Sequence, residues 1–306
     1  KSLKDEGVCF KEKFYGIKSH LCCQMTPAVM WCPNKCLHCW RAVELTLGET
    51  LENEKNLDSP REIIDSAIKA QRKLLQGFKK DPKSKKTQMS KADQKKYFEA
   101  QEPMQFAISL SGEPTTYPYI GELISELRTR GKTSFLVTNG LYPEKLKEIT
   151  RQNQLPTQLY VSVNASNKKL WKEFHRSVKE DGWERLIESL ELMSKIKNKT
   201  RTIFRMNLVR DLNMFEKLIP EYIDLIKIAN PKFIEIKGFM SVGYSRERLG
   251  YEKMPTDKEM EVFTKKLEQE LQKNKLDYKI LDSHEFSRAW VLGKSKKDLK
   301  IKKSEI

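Results

Sequence analysis

The chain has 306 residues, enough for one large α/β domain or two ordinary ones. Apolar residues make up 38% and charged residues 33%, and 58 basic against 42 acidic residues leave a net charge of +16. That surplus favours a polyanionic partner such as RNA or DNA, with a lysine-rich surface kept soluble by charge as the alternative; no apolar run approaches the ~18 residues of a membrane span. The polar start KSLKDEGVCF does not read as a signal peptide, so a cytoplasmic location is expected, and the missing initiator Met predicts a further segment upstream. All six cysteines (9, 22, 23, 32, 36, 39) fall in the first 39 residues, which reads as metal or redox chemistry and not as a disulfide scaffold. A strand is predicted at PAVMWC (27–32), leading into a cysteine loop. Apolar residues at helical spacing predict a helix over 60–78, followed by a lysine-rich insert over 79–100, either a solvated loop with a surface helix or a contact to phosphates. Strands are then predicted at 104–110, 133–138, 158–163, 202–209 and 233–239. Helices alternate with them, at 118–130, from 143, at 168–176 and 182–195, at 215–229 and at 256–274. YKILD (278–282) and AWVL (289–292) predict a terminal hairpin. This alternation implies parallel βαβ units and an open or partial barrel, with the active site at the C-terminal strand ends.

The stretch MWCPNKCLHCWR (30–41) places Cys32, Cys36 and Cys39 at the spacing C-x3-C-x2-C. Closely spaced cysteines hold [4Fe–4S] clusters with one ligand per iron, so three thiolates leave one iron open. A zinc site completed by His38 or by a distant residue, within a non-catalytic RNA-binding module, is the competing reading. In LSGEPTTYP (110–118), Gly112 lets the backbone approach a ligand, Glu113 offers a carboxylate to an ammonium, and Pro114 fixes the turn. Asn139, Ser162, Asn164, Arg205 and Asn207 fall at or near strand ends and are candidate contacts to a bound ligand; each is equally compatible with a structural cap.

Taken together, these motifs resemble the radical S-adenosylmethionine (SAM) enzymes. The resemblance implies a partial (β/α)6 barrel, TIM-like in build, in which the three cysteines hold a [4Fe–4S] cluster and SAM chelates its fourth iron. It departs from the family at His38, usually aromatic, and at Ser111, usually Gly. FKEKFYGIKSHLCCQMTP, Cys39-Trp40-Arg41, SLSGEPTTYPYIGELI, LPTQLYVSV, DGWERL and EIKGFMSVGYSRERL are similar to the archaeal 4-demethylwyosine synthases of tRNA wybutosine synthesis over about residues 9–292. This implies conversion of N1-methylguanosine at position 37 of tRNA(Phe) to 4-demethylwyosine. SAM cleavage gives a 5′-deoxyadenosyl radical, and pyruvate donates two carbons. A separate electron donor is implied, and a monomer is expected. Cys9 and Cys22 match two of the family's three ligands to a second [4Fe–4S] cluster, whose third would lie upstream of Lys1; free thiols are the alternative, and Cys23 lies outside the pattern. Lys11 matches the lysine proposed to form a Schiff base with pyruvate, with chelation of pyruvate by the second cluster as the other route. The expected divisions are a cysteine-rich segment (1–26), the barrel (27–275), and a C-terminal hairpin with a basic tail (276–306). A basic face for tRNA is expected from Lys79, Lys80, Lys83, Lys85, Lys86, Arg246 and Arg248.

Overall fold

Six strands lie side by side in chain order: β1 (Cys22–Met25), β2 (Gln105–Ile108), β3 (Thr133–Thr138), β4 (Gln158–Ser162), β5 (Arg201–Leu208) and β6 (Phe233–Gly238). Each pairs in parallel with the next, with Cys22 opposite Gln105 and Gln105 opposite Thr133. Two further strands, β7 (Lys279–His284) and β8 (Ala289–Gly293), form an antiparallel hairpin, and β8 pairs antiparallel with β6. This is a computed structural model, and it describes residues 1–48, 51, 56–79 and 91–306.

Parallel neighbours cannot be joined by a tight turn, so helices carry the crossovers. In chain order the helices are α1 (Phe10–Tyr15), α2 (Pro60–Leu75), α3 (Gln94–Glu99), α4 (Ile120–Thr129), α5 (Pro143–Arg151), α6 (Lys168–His175), α7 (Gly182–Ile196), α8 (Ile219–Ala229), α9 (Ser245–Leu249) and α10 (Asp257–Lys273). Their starts are written locally. Ser59 and Glu62 form a capping box on α2, with Pro60 in its first turn, and Asn167 accepts from the Leu170 N–H to open α6.

Strand residues alternate between two environments. Leu136, Leu159, Phe204, Ile234 and Leu292 point outward into cores shared with the helices. Phe135, Tyr160, Ile203, Phe233 and Val291 point inward, where α1 supplies Phe10, Phe14 and Tyr15 to the same cluster. The N-terminal helix therefore fills part of the barrel interior.

The first strand is CCQM, not PAVMWC. Residues 27–32 form a loop whose only pairing among the described residues is a bridge from Trp31 to Gly48. The reason is spatial: Cys23 and Met25 enter the outer core, and β1 ends where the cysteine loop begins. The terminal hairpin likewise extends the barrel sheet. In the lysine-rich insert, α3 is the surface helix; residues 80–90 lie outside those described.

Candidate active site

The inward residues at the C-terminal strand ends, together with the cysteine loop and the segment before α1, enclose a cavity of about 740 Å³. Cys32, Cys36 and Cys39 line it, as do Cys9, Lys11, Cys22, Gly112, Glu113, Asn139, Ser162, Asn164, Arg205, Asn207 and Lys237. Pro114 is buried immediately behind the Gly112–Glu113 turn. A comparable cavity of about 660 Å³ opens between the strand starts and the C-terminal tail. It contains none of the cysteines, so the chemistry belongs to the first.

The cysteine loop has little regular structure and is held by its neighbours. Lys35 N–H donates to the His175 carbonyl (2.9 Å) and Leu37 N–H to that of Phe174 (3.0 Å), so the end of α6 braces it from one side. The His175 Nδ1 lies 3.1 Å from Cys36 Sγ. Burial lowers the pKa of His175 to about 3, so its ring is neutral, and its buried Nε2 has no partner among the described residues. His38 stacks on Phe174 with ring centroids 5.0 Å apart, filling the usual aromatic position.

The loop after β6 braces the other side. Arg248 donates to the carbonyls of Leu37 (3.2 Å), Cys39 and Arg41 (3.0 Å). Its side chain is only 12% exposed, which corrects its expected role as a phosphate contact: the guanidinium is consumed in holding the cysteine loop. Arg246 is exposed and stays available. Lys79 is exposed, and Lys80, Lys83, Lys85 and Lys86 lie outside the described residues. Gly243 adopts φ +56, and a Cβ there would meet the Trp40 carbonyl at 2.2 Å.

Gly112 is equally constrained. Its φ is +68, and a Cβ would lie 1.7 Å from the Ala28 carbonyl oxygen. Leu110, two residues earlier, also has positive φ (+87), and Trp40 Nε1 donates to its carbonyl at 2.7 Å. Glu113 is buried. Its Oε1 accepts from Thr115 N–H (3.1 Å), Thr115 Oγ1 (2.5 Å) and Thr138 Oγ1 (2.7 Å), and its Oε2 accepts from Asn139 N–H (2.7 Å). Burial raises its pKa against these bonds. Most of its acceptor capacity holds β2 and β3 together, leaving Oε2 free for one more donor.

Asn164 accepts from Asn207 N–H at 2.9 Å. Asn213, fully buried, donates to the carbonyls of Asn164 (2.7 Å) and Asn207 (2.9 Å). Sequence reasoning missed Asn213, and it missed His175, because neither carries a local motif. Cys9 and Cys22 face the cavity, while Cys23 is buried in the outer core. Burial pushes the Cys32 and Cys23 thiols up to about 12, and the Cys36 thiol well up. Metal binding at such thiols displaces protons.

Among the described residues no three His, Cys, Asp or Glu side chains converge to hold one ion, as zinc requires. A four-iron cluster takes one thiolate per iron, and the three cysteines at one end of a roomy cavity beside the Gly112 cradle fit that group.

The barrel with this loop at its mouth defines a radical SAM enzyme. Residues 27–219 match the Radical SAM superfamily model, and residues 228–294 match that for wyosine base formation. The chain is 45% identical over 289 residues to the S-adenosyl-L-methionine-dependent tRNA 4-demethylwyosine synthase of Pyrococcus abyssi, covering 94% of this chain and 79% of that protein. It is 34% identical over 294 residues to the protein of that name from Methanocaldococcus jannaschii, covering 95% and 86%. A solved structure of TYW1 with a lysine–pyruvate adduct bound superposes with a TM-score of 0.80 at 31% identity, covering 99% of this chain and 89% of that one. Coproporphyrinogen III oxidase from Escherichia coli, at 11% identity and a TM-score of 0.51, shares the fold alone; it covers 89% of this chain and 54% of its own. The chain belongs to the tRNA 4-demethylwyosine synthase family of radical SAM enzymes.

Proposed function

We propose that the chain converts N1-methylguanosine at position 37 of tRNA(Phe) to 4-demethylwyosine, breaking a carbon–carbon bond of pyruvate and building its other two carbons into the third ring. The observation that carries this reading is Lys11. It is 8% exposed, faces the same cavity as the three-cysteine loop, and has its Nζ 5.0 Å from the Phe135 ring centre and 4.9 Å from that of Tyr160. A TYW1 carrying a lysine–pyruvate adduct supports it.

A bound cluster with SAM would supply the radical chemistry needed to activate the N1-methyl group. Cys32, Cys36 and Cys39 would hold the cluster, and the Gly112–Pro114 turn with Asn139, Ser162, Asn164, Arg205 and Asn207 would position SAM. The Lys11 amine adds to the keto carbon of pyruvate, water leaves, and a carbon–nitrogen double bond remains. Burial, then Arg205, lowers the Lys11 pKa toward the neutral amine this needs. Cys9 and Cys22 would hold part of a second cluster at the Lys11 side of the cavity. The enzyme acts as a cytoplasmic monomer with a separate electron donor. No helix among the described residues is long and apolar enough to cross a membrane.

The test is Lys11→Ala in anaerobically reconstituted protein. Reductive SAM cleavage should persist while the tricyclic base disappears from tRNA, and borohydride with pyruvate should label Lys11 in the unaltered protein. Tricyclic base made by the variant would sink the assignment.

A further inference from the structure

One cation in the cavity is left without a role. Lys237 projects from the inward face of β6, two residues after Glu235, and lines the cavity beside Arg205 and Lys11. Among the described residues no hydrogen bond or ion pair engages it. Arg41, also on the wall, is taken up by the Val29 carbonyl and Met30 sulfur. The acid on the wall, Glu113, is saturated on one oxygen and half-committed on the other. Glu235 lies beneath, fully buried. It accepts from the Tyr15 hydroxyl at 2.8 Å and faces Arg205 Nε at 3.6 Å. One buried carboxylate thus serves Lys11, Arg205 and Lys237. A secluded surplus of cations is costly until an anion joins them.

We propose that Lys237 anchors the carboxylate of the 2-oxo acid whose keto carbon Lys11 captures. This rests on the reading of Lys11 as the capturing amine. The two lysines share the same charged surroundings: Arg205, Glu235 and Cys9 act on both. The ladder partner of Lys237 on β8, Ala289, packs into the inner cluster with Phe10 of α1, the sequence neighbour of Lys11. Lys237 therefore stands on the Lys11 side of the cavity. In a 2-oxo acid the carboxylate is bonded directly to the keto carbon, so an anchor for the one must stand near the amine that takes the other. Burial and Arg205 bring the pKa of Lys237 down to about 8, the mark of a cation lacking its counter-charge. The assignment separates two tasks: Lys11 makes the bond, and Lys237 fixes which end of the acid faces it.

The test uses the reconstituted holoenzyme, the Lys237→Met and Lys237→Arg variants, and three readouts. Equilibrium dialysis with radiolabelled pyruvate gives affinity, borohydride trapping with peptide mapping locates the adduct, and dialysis with SAM gives cofactor affinity. K237M should weaken pyruvate binding about ten- to a hundredfold, the loss of one charge-assisted hydrogen bond. K237R should restore most of it, SAM affinity should hold, and trapping of acetone, which lacks the carboxylate, should be unchanged. Unaltered pyruvate affinity in K237M overturns the proposal. So does a loss confined to SAM, which would make Lys237 a contact of the methionyl carboxylate. Absence of an adduct on Lys11 in the unaltered protein would instead defeat the reading of Lys11, while the dialysis result would still decide Lys237.

Discussion

The Nδ1 of His175 lies 3.1 Å from the Sγ of Cys36, across 139 residues of sequence. With its pKa lowered to about 3, the imidazole carries one N–H, and a thiolate at Cys36 would accept it. Hydrogen bonds to cluster sulfurs stabilise the reduced, more negative state. His175→Phe should therefore retain iron and sulfide but shift the cluster potential negative, on the order of 50 mV for one net hydrogen bond in a one-electron couple. A potentiometric titration followed by electron paramagnetic resonance checks this; an unchanged potential would leave His175 with a packing role only.

Arg248 ties the loop after β6 to three carbonyls of the cysteine loop. Arg248→Met should destabilise the protein by about 2–4 kcal/mol and open residues 37–44 to proteases, because the freed carbonyls have lost a charged donor. Its tRNA affinity should keep the salt slope of the unaltered protein. Arg246→Ala, at an exposed site, should lower that slope by about 0.7–1 with little change in stability. A flat Arg246 result in titrations from low to moderate salt would remove that arginine from the RNA face.

Gly112 has no room for a methyl group against the Ala28 carbonyl and sits at φ +68. Gly112→Ala should cost at least about 2 kcal/mol in urea unfolding and weaken SAM binding, since backbone strain and displacement of the cysteine loop act together. Near-native stability together with tight SAM binding would show that the turn tolerates what its geometry forbids.

A pH dependence arises at α10. Glu259 accepts from Arg210, Thr256 N–H and Thr256 Oγ1, and its pKa falls to about 2, chiefly through Arg210. The folded pKa is below the unfolded one. Its contribution is therefore complete above about pH 4.5 and disappears as pH falls toward 2. Glu259→Gln should cost at most about 1 kcal/mol at pH 7, through loss of the charged pair with Arg210, because Gln keeps the capping box and the carboxylate is 41% exposed and screened. The variant and the parent should converge at pH 2. Urea midpoints at the two pH values decide it, and a constant difference would refute the assignment.

Residues 133–138 show how much was legible in the sequence. TSFLVT reads as a strand and is one at those limits, because a run of β-branched and aromatic residues between turns is local information. The spacing of Cys32, Cys36 and Cys39, the Gly112–Glu113 turn and the alternation of strands and helices are local in the same sense, and they were enough for the barrel and its family. Cys22 and Cys23 show the limit. Neighbours in sequence, they point to opposite faces of β1, and only the pairing of Cys22 with Gln105 decides which one enters the cavity. The same holds for Arg248, which looks in sequence like its exposed neighbour Arg246, for His175 and Asn213, which no motif marks, and for Lys237, whose string EIKGF carries no sign of what the side chain does. What each of these side chains does depends on groups brought to it from distant parts of the chain. A pattern of nearest neighbours specifies which elements form, whereas the partners of a side chain are set only when the strands have chosen their register and the loops have packed across the barrel mouth.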